Sequence, residues 1–448
     1  DDDIHKGGNK SIKEIDNELY NIIKLEENRQ TFGLELIASE NFTSQAVMEA
    51  VGSCLTNKYS EGIPGRRYYG GNHEIDKIER LCQERALKVF GLNNDEWYVN
   101  VQSYSGSVGN LAAFLSVLKP NDRFMGLYLT DGGHLSHGFY RGNNAINISA
   151  KFFQSLPYYV DVNTGYIDYN DLAIQAKRFC PKLIIAGGSA YPRDWNYDIF
   201  RKICNDVGAK LLVDMAHYSG LIASGIMNNP FKYADAVMST THKSLRGTRG
   251  AILFGKKEYM DELNNCVFPL SQGGPHNHAI AGIAVGLKEA MSKKFKLYSK
   301  QVILNCQTIA NVLIKEGYKL ATNGTDTHLL LWDLRPNGIT GSKLEYICDL
   351  SDITINKNTV HGDKSALVPG GVRIGTPALT TRGMKQNDMI IVAKFLINAL
   401  NIAIDVQKIS GKQMKNFRPI ANKNNDVKIL KQKVHEFAKK FPMPGIKL

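Results

Sequence analysis

The chain has 448 residues, 43 % hydrophobic and 22 % charged, close to the globular average; this excludes a disordered or collagen-like protein and predicts about two or three domains. Fifty-five basic residues against 43 acidic ones give a net charge of +12, and the seven cysteines form no CxxC pair, which points to reduced thiols rather than a disulfide framework. No run approaches the ~18 uninterrupted apolar residues of a membrane helix; the longest, Ala279 to Leu287, is short and broken by glycine. The start, DDDIHKGGNK, has neither an apolar core nor an Arg/Ser-rich pattern, so it reads as no signal or transit peptide and the expected address is cytoplasmic.

In chain order, residues 11–31 predict an amphipathic helical arm, with Ile12, Ile15, Leu19, Ile22, Ile23 and Leu25 at helical spacing. Residues 33–72 are rich in Gly, Ser, Asn and Tyr, and a long polar segment inside a folded chain is more often functional than idle. Glu74–Phe90 reads as a helix, Tyr98–Gln102 as a strand, and the stretch to Leu118 as a helix. Further strands are predicted at Phe124–Leu129, Leu183–Ala186, Leu211–Asp214, Ala236–Ser239 and Ala251–Phe254, with helical patterns such as Tyr197–Val207 between them. Alternating strands and helices imply an α/β fold with a mostly parallel sheet. A long helix is predicted around 276–315, ending near Gly317. After it, Leu329–Leu334 and Val372–Ile374 are strands among helices, a smaller α+β domain, and the Lys/Asn-rich piece 421–428 reads as a loop. The expected division is an arm and interface segment at 1–60, a large domain at 61–295 and a small C-terminal domain at 296–448. From Lys408 onward, eleven Lys/Arg face two acidic residues. Without a nucleic-acid motif this reads as a solvated helix face, and no nucleic-acid partner is expected.

The chemistry begins at Ser239-Thr240-Thr241-His242-Lys243, where a strand ends and Gly247 opens a turn. An isolated lysine is ordinarily a solvated surface residue. A lysine at the carboxyl edge of an α/β sheet, among small hydroxyl residues, is placed to form a Schiff base with an aldehyde cofactor. The strand LLVD ends in Asp214, 29 residues earlier, which is room for one strand–helix–strand unit. A carboxylate facing a protonated ring nitrogen beside such a lysine is the pyridoxal phosphate arrangement; the ordinary alternative is a helix cap. Ser105-Gly106-Ser107 precedes a helix and offers N–H groups and hydroxyls to an anion. In DGGHLSHG (131–138), His134 or His137 could lie flat on a cofactor ring; a zinc reading lacks further ligands in sequence, and no metal is expected.

ELIASENFTS (35–44), NKYSEG (57–62), RRYYGG (66–71), DGGHLSHG, LLVDMAH, TTHKSLRG, VFPLSQGGP (267–275), TNGTDTH (322–328) and GGVRIGTPALTTRG (370–383), in this order, resemble serine hydroxymethyltransferase from about residue 11 to the end. The resemblance implies the aspartate-aminotransferase-like (fold type I) architecture, pyridoxal 5'-phosphate as a Schiff base on Lys243, and tetrahydrofolate as co-substrate. The implied reaction is reversible conversion of L-serine and tetrahydrofolate to glycine and 5,10-methylenetetrahydrofolate, a step of one-carbon metabolism. By the same resemblance Asp214 partners the ring nitrogen, His134 stacks on the ring, and His217 and Ser189 lie near its phenolate oxygen. Ser105, Gly106 and Ser107 form the phosphate cup, to which Gly273 and Gly274 of a second subunit add a contact. Thr240 assists exchange at the lysine. Arg373 and Ser39 hold the substrate carboxylate, as a planar guanidinium does best. Tyr59 and Tyr69 are active-site tyrosines, Glu61 is the general acid/base, and Tyr59 and Glu61 reach across the dimer. Tyr68, Leu129, Gly133, Leu135 and Asn358 lie near folate, with Glu61.

Asn121 stands where tetrameric animal members carry histidine, so a homodimer is expected rather than a tetramer. Two rivals are weighed. A folate-independent enzyme on the same cofactor, such as a threonine aldolase, aminotransferase or decarboxylase, would share Lys243, Asp214 and Arg373 but not Glu61 with the tyrosine-rich segment, nor Asn358. An RNA-binding protein using the basic C-terminal region would bind polynucleotides with steep salt dependence.

Overall fold

Seven strands build the central sheet of the computed structural model, which describes residues 8, 10–363 and 368–446. They are β1 (Trp97–Asn100), β2 (Arg123–Leu127), β3 (Gln154–Tyr158), β4 (Leu183–Ala186), β5 (Lys210–Asp214), β6 (Ala236–Thr240) and β7 (Ala251–Lys256). Their spatial order is β1-β7-β6-β5-β4-β2-β3, and only β7 runs against its neighbours. The short apolar runs explain the topology. LIIA in β4 is buried at every position, as required of a strand covered by helices on both faces. The helix Tyr197–Val207 starts on Asn196, whose side chain accepts from the Ile199 N–H at 3.3 Å, and stops at Gly208 in the left-handed region, a cap-to-cap helix crossing from β4 to β5.

A second, four-stranded antiparallel sheet contains β8 (Lys319–Leu320), β9 (Leu329–Asp333), β10 (Asn356–Asn358) and β11 (Gly371–Gly375), ordered β8-β9-β11-β10. It has its own core, in which Trp332, Ile347, Leu396 and Leu430 are buried. The α/β architecture with a mostly parallel large sheet is as expected.

Several element readings are corrected. The arm is two helices, Ile12–Ile15 and Asn17–Phe32, because Asp16 caps the second through the Leu19 N–H; its six periodic apolar residues are all exposed. The 276–315 segment breaks into Asn277–Ala290 and Lys293–Lys315, with Ser292 capping the second. The 421–428 piece is not a loop: helices Met414–Lys423 and Asn425–Ala438 meet at Asn424, whose side chain caps the latter. Most of DDDIHKGGNK, and Lys447 of the basic region, lie outside the described residues. The longest apolar helix is Gln386–Ser410, not the 279–287 run, and by length and composition it could cross a membrane. Half of it is buried, with Val392, Leu396 and Leu400 inside the smaller core, which is how a core helix passes the same test.

Candidate active site

Asp214 ends β5 and Thr240 ends β6; the strands pair in parallel with Asp214 opposite Met238. Lys243 follows three residues later, so a carboxylate and an amine meet at one carboxyl edge of the sheet, where open α/β folds bind ligands. Lys243 Nζ donates to Thr240 Oγ1 at 2.9 Å. Burial drives the ammonium down to about 8, against the opposing pull of Asp214.

Asp214 is buried. His137 Nε2 lies 2.9 Å from Oδ2, Asn110 Nδ2 donates to the same oxygen at 2.9 Å, and the Ala216 N–H donates to Oδ1 at 3.1 Å. Burial pushes this carboxyl upward, but the His137 contact, the neighbouring His134 and the Asn110 amide outweigh it and hold the group well below the usual carboxylate range. It remains ionised at neutral pH with lone pairs to spare on Oδ1. His134 is half-buried, with Nδ1 2.7 Å from Ser136 Oγ; burial first, then His137, brings its imidazole down to about 4, so it presents a neutral ring. His217 is buried with Nδ1 3.1 Å from His328 Nε2. Burial, then Lys243 and Arg373, holds it well below its ordinary value.

Arg373 sits on β11 opposite Leu331 and Asn356. Its Nε donates to Asn356 Oδ1 at 3.1 Å, Nη1 to the Ser189 carbonyl at 2.8 Å, and Nη2 to Ser39 Oγ at 3.3 Å. Burial lowers it to about 10, still cationic at neutral pH. Three of five N–H groups are used, leaving one on each terminal nitrogen for a carboxylate.

Ser105 caps the helix Gly106–Leu115 by position only; its hydroxyl makes no cap bond. The first N–H groups, with the Ser105 and Ser107 hydroxyls, are therefore open to an anion. A Cβ on Gly106 would come within 2.7 Å of Thr240 Cγ2, which ties the cup to the lysine's neighbour. Among the described residues, buried His137 Nδ1, Asn110 Oδ1, His328 Nδ1 and Ser103 Oγ have no hydrogen-bond partner. An aldehyde-bearing, phosphate-bearing heteroaromatic ring fits this donor set. His134, His137 and Asp214 also place one ligand atom each within 4.8 Å of one another, with His137 Nε2 already engaged by Asp214 Oδ2 at 2.9 Å.

Tyr59, Glu61, Tyr69, Gly273 and Gly274 form a second group. The Tyr59 and Tyr69 rings meet edge to face at 5.3 Å, and Glu61 beside Tyr59 raises that phenol. A Cβ on Gly274 would lie 3.2 Å from the Tyr59 ring, and Tyr104 Oη donates to the Gly274 carbonyl at 2.5 Å. Among the described residues no hydrogen bond or ion pair joins Glu61 or Tyr69 to Lys243, Asp214 or Arg373 within the chain. Tyr68 packs on Phe268, and both line a cavity of about 540 Å³. Leu129, Gly133 and Leu135 lie on the loop after β2, and Asn358 ends β10. His361 Nδ1, 2.8 Å from Asp131 Oδ1, bridges these two regions. A Cβ on Gly133 would sit 1.9 Å from the Leu127 carbonyl, so no side chain fits there.

The sequence reading missed the roles of Asn110, His137, His328 and Asn356. Asn110 had a signal, as a lone amide inside the apolar helix GSVGNLAAFL. His328 and Asn356 meet their partners only through tertiary packing.

A family profile described as serine hydroxymethyltransferase matches residues 12–396. "Serine hydroxymethyltransferase 4" of Arabidopsis thaliana is 52 % identical over 458 residues, covering 99 % of this chain and 97 % of its own. "Serine hydroxymethyltransferase 3, chloroplastic" of the same plant is 51 % identical, over 97 % of this chain and 84 % of its own. "Serine hydroxymethyltransferase, cytosolic" of Oryctolagus cuniculus is 48 % identical, over 97 % and 94 %.

Proposed function

The chain belongs to the serine hydroxymethyltransferase family and is an enzyme of that type; from this premise we propose that it holds pyridoxal 5'-phosphate on Lys243 and uses tetrahydrofolate to convert L-serine reversibly to glycine and 5,10-methylenetetrahydrofolate. The observation that carries this reading is the buried, ionised Asp214 one strand away from a lysine whose ammonium is driven down to about 8. When bound, the cofactor supplies an electrophilic aldehyde carbon and a ring that accepts an electron pair released at the amino-acid α-carbon.

The chain's residues divide the remaining work. Asp214 Oδ1 holds a proton on the ring nitrogen, and His137 and Asn110 keep that carboxylate charged and aimed. His134, a neutral imidazole, would pack on the cofactor ring, and His217 and Ser189 would hold its oxygen. Ser105, Gly106 and Ser107 hold the phosphate at the helix N-terminus. Thr240 Oγ1 keeps the Lys243 amine in place. Arg373, braced by Asn356 and Ser39, grips the serine carboxylate through its two remaining N–H groups, which fixes the bond at Cα that faces the ring. Glu61 moves a proton at the serine hydroxyl oxygen or at the folate-bound one-carbon unit, with Tyr69 beside it. Tyr68, Leu129, Gly133, Leu135 and Asn358 line the folate path.

The second group of residues supports a homodimer with shared sites: Glu61, Tyr59, Gly273 and Gly274 serve the partner's centre. Exposure of Tyr59, Tyr68 and Tyr69, and of the apolar face of the arm helices, supports the same reading. We also propose the division 1–60, 61–295 and 296–448. In its support, Phe295 packs in the large core and Cys306 and Ile309 in the small one, although Val302, seven residues past the boundary, still packs in the large core. Borohydride reduction of the purified protein followed by peptide mapping tests the central assignment. The pyridoxyl label is expected on Lys243, and a label on another residue overturns it.

A further inference from the structure

Glu61 lies on a polar segment, yet its backbone is held more firmly than such a segment requires. Arg67 Nη1 donates to the carbonyls of Ser60 and Gly62, both at 2.9 Å. The Tyr68 N–H donates to the carbonyl of Glu61 itself at 3.1 Å. Three consecutive carbonyls, centred on Glu61, are therefore pinned. Gly62 receives a second bond from Gln102 Nε2 at 2.9 Å. It has φ +98 and a Cβ there would meet the Arg66 carbonyl at 2.2 Å, so only glycine allows the tight pairing with Arg67.

The other edges of Arg67 are anchored in the core. Nε donates to Asp76 Oδ1 at 2.9 Å and Nη2 to Glu79 Oε2 at 2.6 Å. The Arg67 side chain is 4 % exposed and that of Glu79 is 2 % exposed. Glu79 Oε1 takes a bond from Gln102 at 2.8 Å, and Asp76 Oδ2 takes the Gly65 N–H at 2.8 Å. Both carboxylates stand on the helix His73–Val89, which packs against Asn277–Ala290. A buried ion pair is weak evidence of stability, since apolar packing of equal volume serves as well. What apolar packing cannot supply is a fork that reaches two carbonyls on either side of one residue while two carboxylates fix the fork's plane.

We propose that Arg67 is a positioning residue for Glu61, holding the backbone on both sides of that carboxylate so that it keeps a single aim at the reacting centre. The proposal rests on the assignment of Glu61 given above. Arg67 acts through Glu61, whose aim it ties to the rigid helix His73–Val89.

The test is a double-mutant cycle on the holoenzyme with Arg67→Lys and Glu61→Gln, joined by hydrogen exchange of the Tyr68 amide. A lysine keeps the charge but cannot fork. Arg67→Lys is expected to lower kcat of the folate-dependent reaction by about 10- to 100-fold, with KM for serine and cofactor content nearly unchanged. The Tyr68 amide should lose protection while the helix His73–Val89 keeps its own. In the Glu61→Gln background the same change should cost less than about threefold, because coupled residues are not additive. Gln102→Met, which removes the second donor to Gly62 and the amide bond to Glu79 Oε1 but keeps the Arg67 fork, gives a second variant should Arg67→Lys fail to fold; it is expected to lower kcat by about 3- to 10-fold, again only when Glu61 is present. Losses that multiply in the double variants, or a folded Arg67→Lys enzyme with unchanged kcat, overturn the positioning role. If Glu61→Gln alone leaves the rate intact, the Glu61 assignment fails first, visible in the single variant before Arg67 is considered.

Discussion

Lys243 Nζ donates to Thr240 Oγ1 at 2.9 Å, and among the described residues no carboxylate forms an ion pair with it. Its ammonium is thus left with a neutral partner in a partly buried place, and burial drives it to about 8. Only the neutral amine attacks an aldehyde. The rate at which the apoenzyme takes up pyridoxal phosphate should rise about tenfold per pH unit from pH 6 toward 7.5 and flatten above about 8. Rapid-mixing absorbance across pH 6–10 checks this. A rate still climbing tenfold per unit at pH 9.5 would show a lysine of ordinary basicity.

Arg373→Ala should leave cofactor content intact and raise KM for serine by at least about 30-fold, since losing one partner of a desolvated charge pair costs on the order of 2–5 kcal/mol. Arg373→Lys should recover little, because Asn356, Ser189 and Ser39 hold the plane of a guanidinium and an ammonium has no plane to hold. Steady-state kinetics with cofactor absorbance decides; an unchanged KM would make Arg373 a structural residue.

The pairing of Asp214 with the Lys243 strand was legible in sequence, because a 29-residue separation and two apolar runs ending in polar residues are local signals. The brace around them was not. Nothing in DGGHLSHG tells which histidine reaches Asp214, and the fold brings His137 to it from 77 residues away. The 421–428 segment misleads for another reason. Its Lys/Asn composition is that of a loop, but Val427, Leu430, Val434 and Phe437 recur at helical spacing and are buried, so tertiary burial overrides composition. The break at Ser292 escapes the periodicity because apolar residues continue on both sides.

Arg382 should matter for stability alone. It is fully buried and donates to the carbonyls of Thr31, Gly33, Ala438 and Phe441 at 2.9, 3.0, 2.6 and 3.1 Å. It therefore joins the C-terminal ends of Asn17–Phe32 and Asn425–Ala438, where a cation also meets both helix dipoles. Arg382→Met leaves these buried acceptors unpaired and should cost about 3 kcal/mol or more, read as a lower thermal midpoint. A midpoint within about a degree of the parent would contradict this account.

Glu35 should make stability fall with rising pH. It is buried, 3.6 Å from Arg29, and burial, then the charge of Glu40, raises its carboxyl well above the ordinary 4.5. The folded chain therefore binds this proton more tightly than the unfolded chain. Its favourable contribution is complete below pH 4.5 and is lost as pH rises through the elevated folded value. Glu35→Gln keeps the size without titrating. The variant should melt higher than the parent at pH 8.5 and equal it near pH 4.5. A parent no less stable than the variant at pH 8.5 would remove Glu35 as the cause.

Glu61→Gln should separate two activities of one active site. The amide keeps the size and part of the hydrogen bonding but cannot shuttle a proton. Cofactor content and serine binding should persist, because Lys243 and Arg373 are untouched. The folate-dependent reaction should fall by about 10²–10⁴-fold, the range of a lost general acid or base. Cleavage of allo-threonine, which involves no folate-bound one-carbon unit, should fall far less. Both rates belong on one preparation, with cofactor measured by absorbance. Equal loss of the two, or no loss of the folate reaction, would take the proton-transfer role from Glu61 and pass it to Tyr69, whose ring already contacts Tyr59 in the same cluster at 5.3 Å.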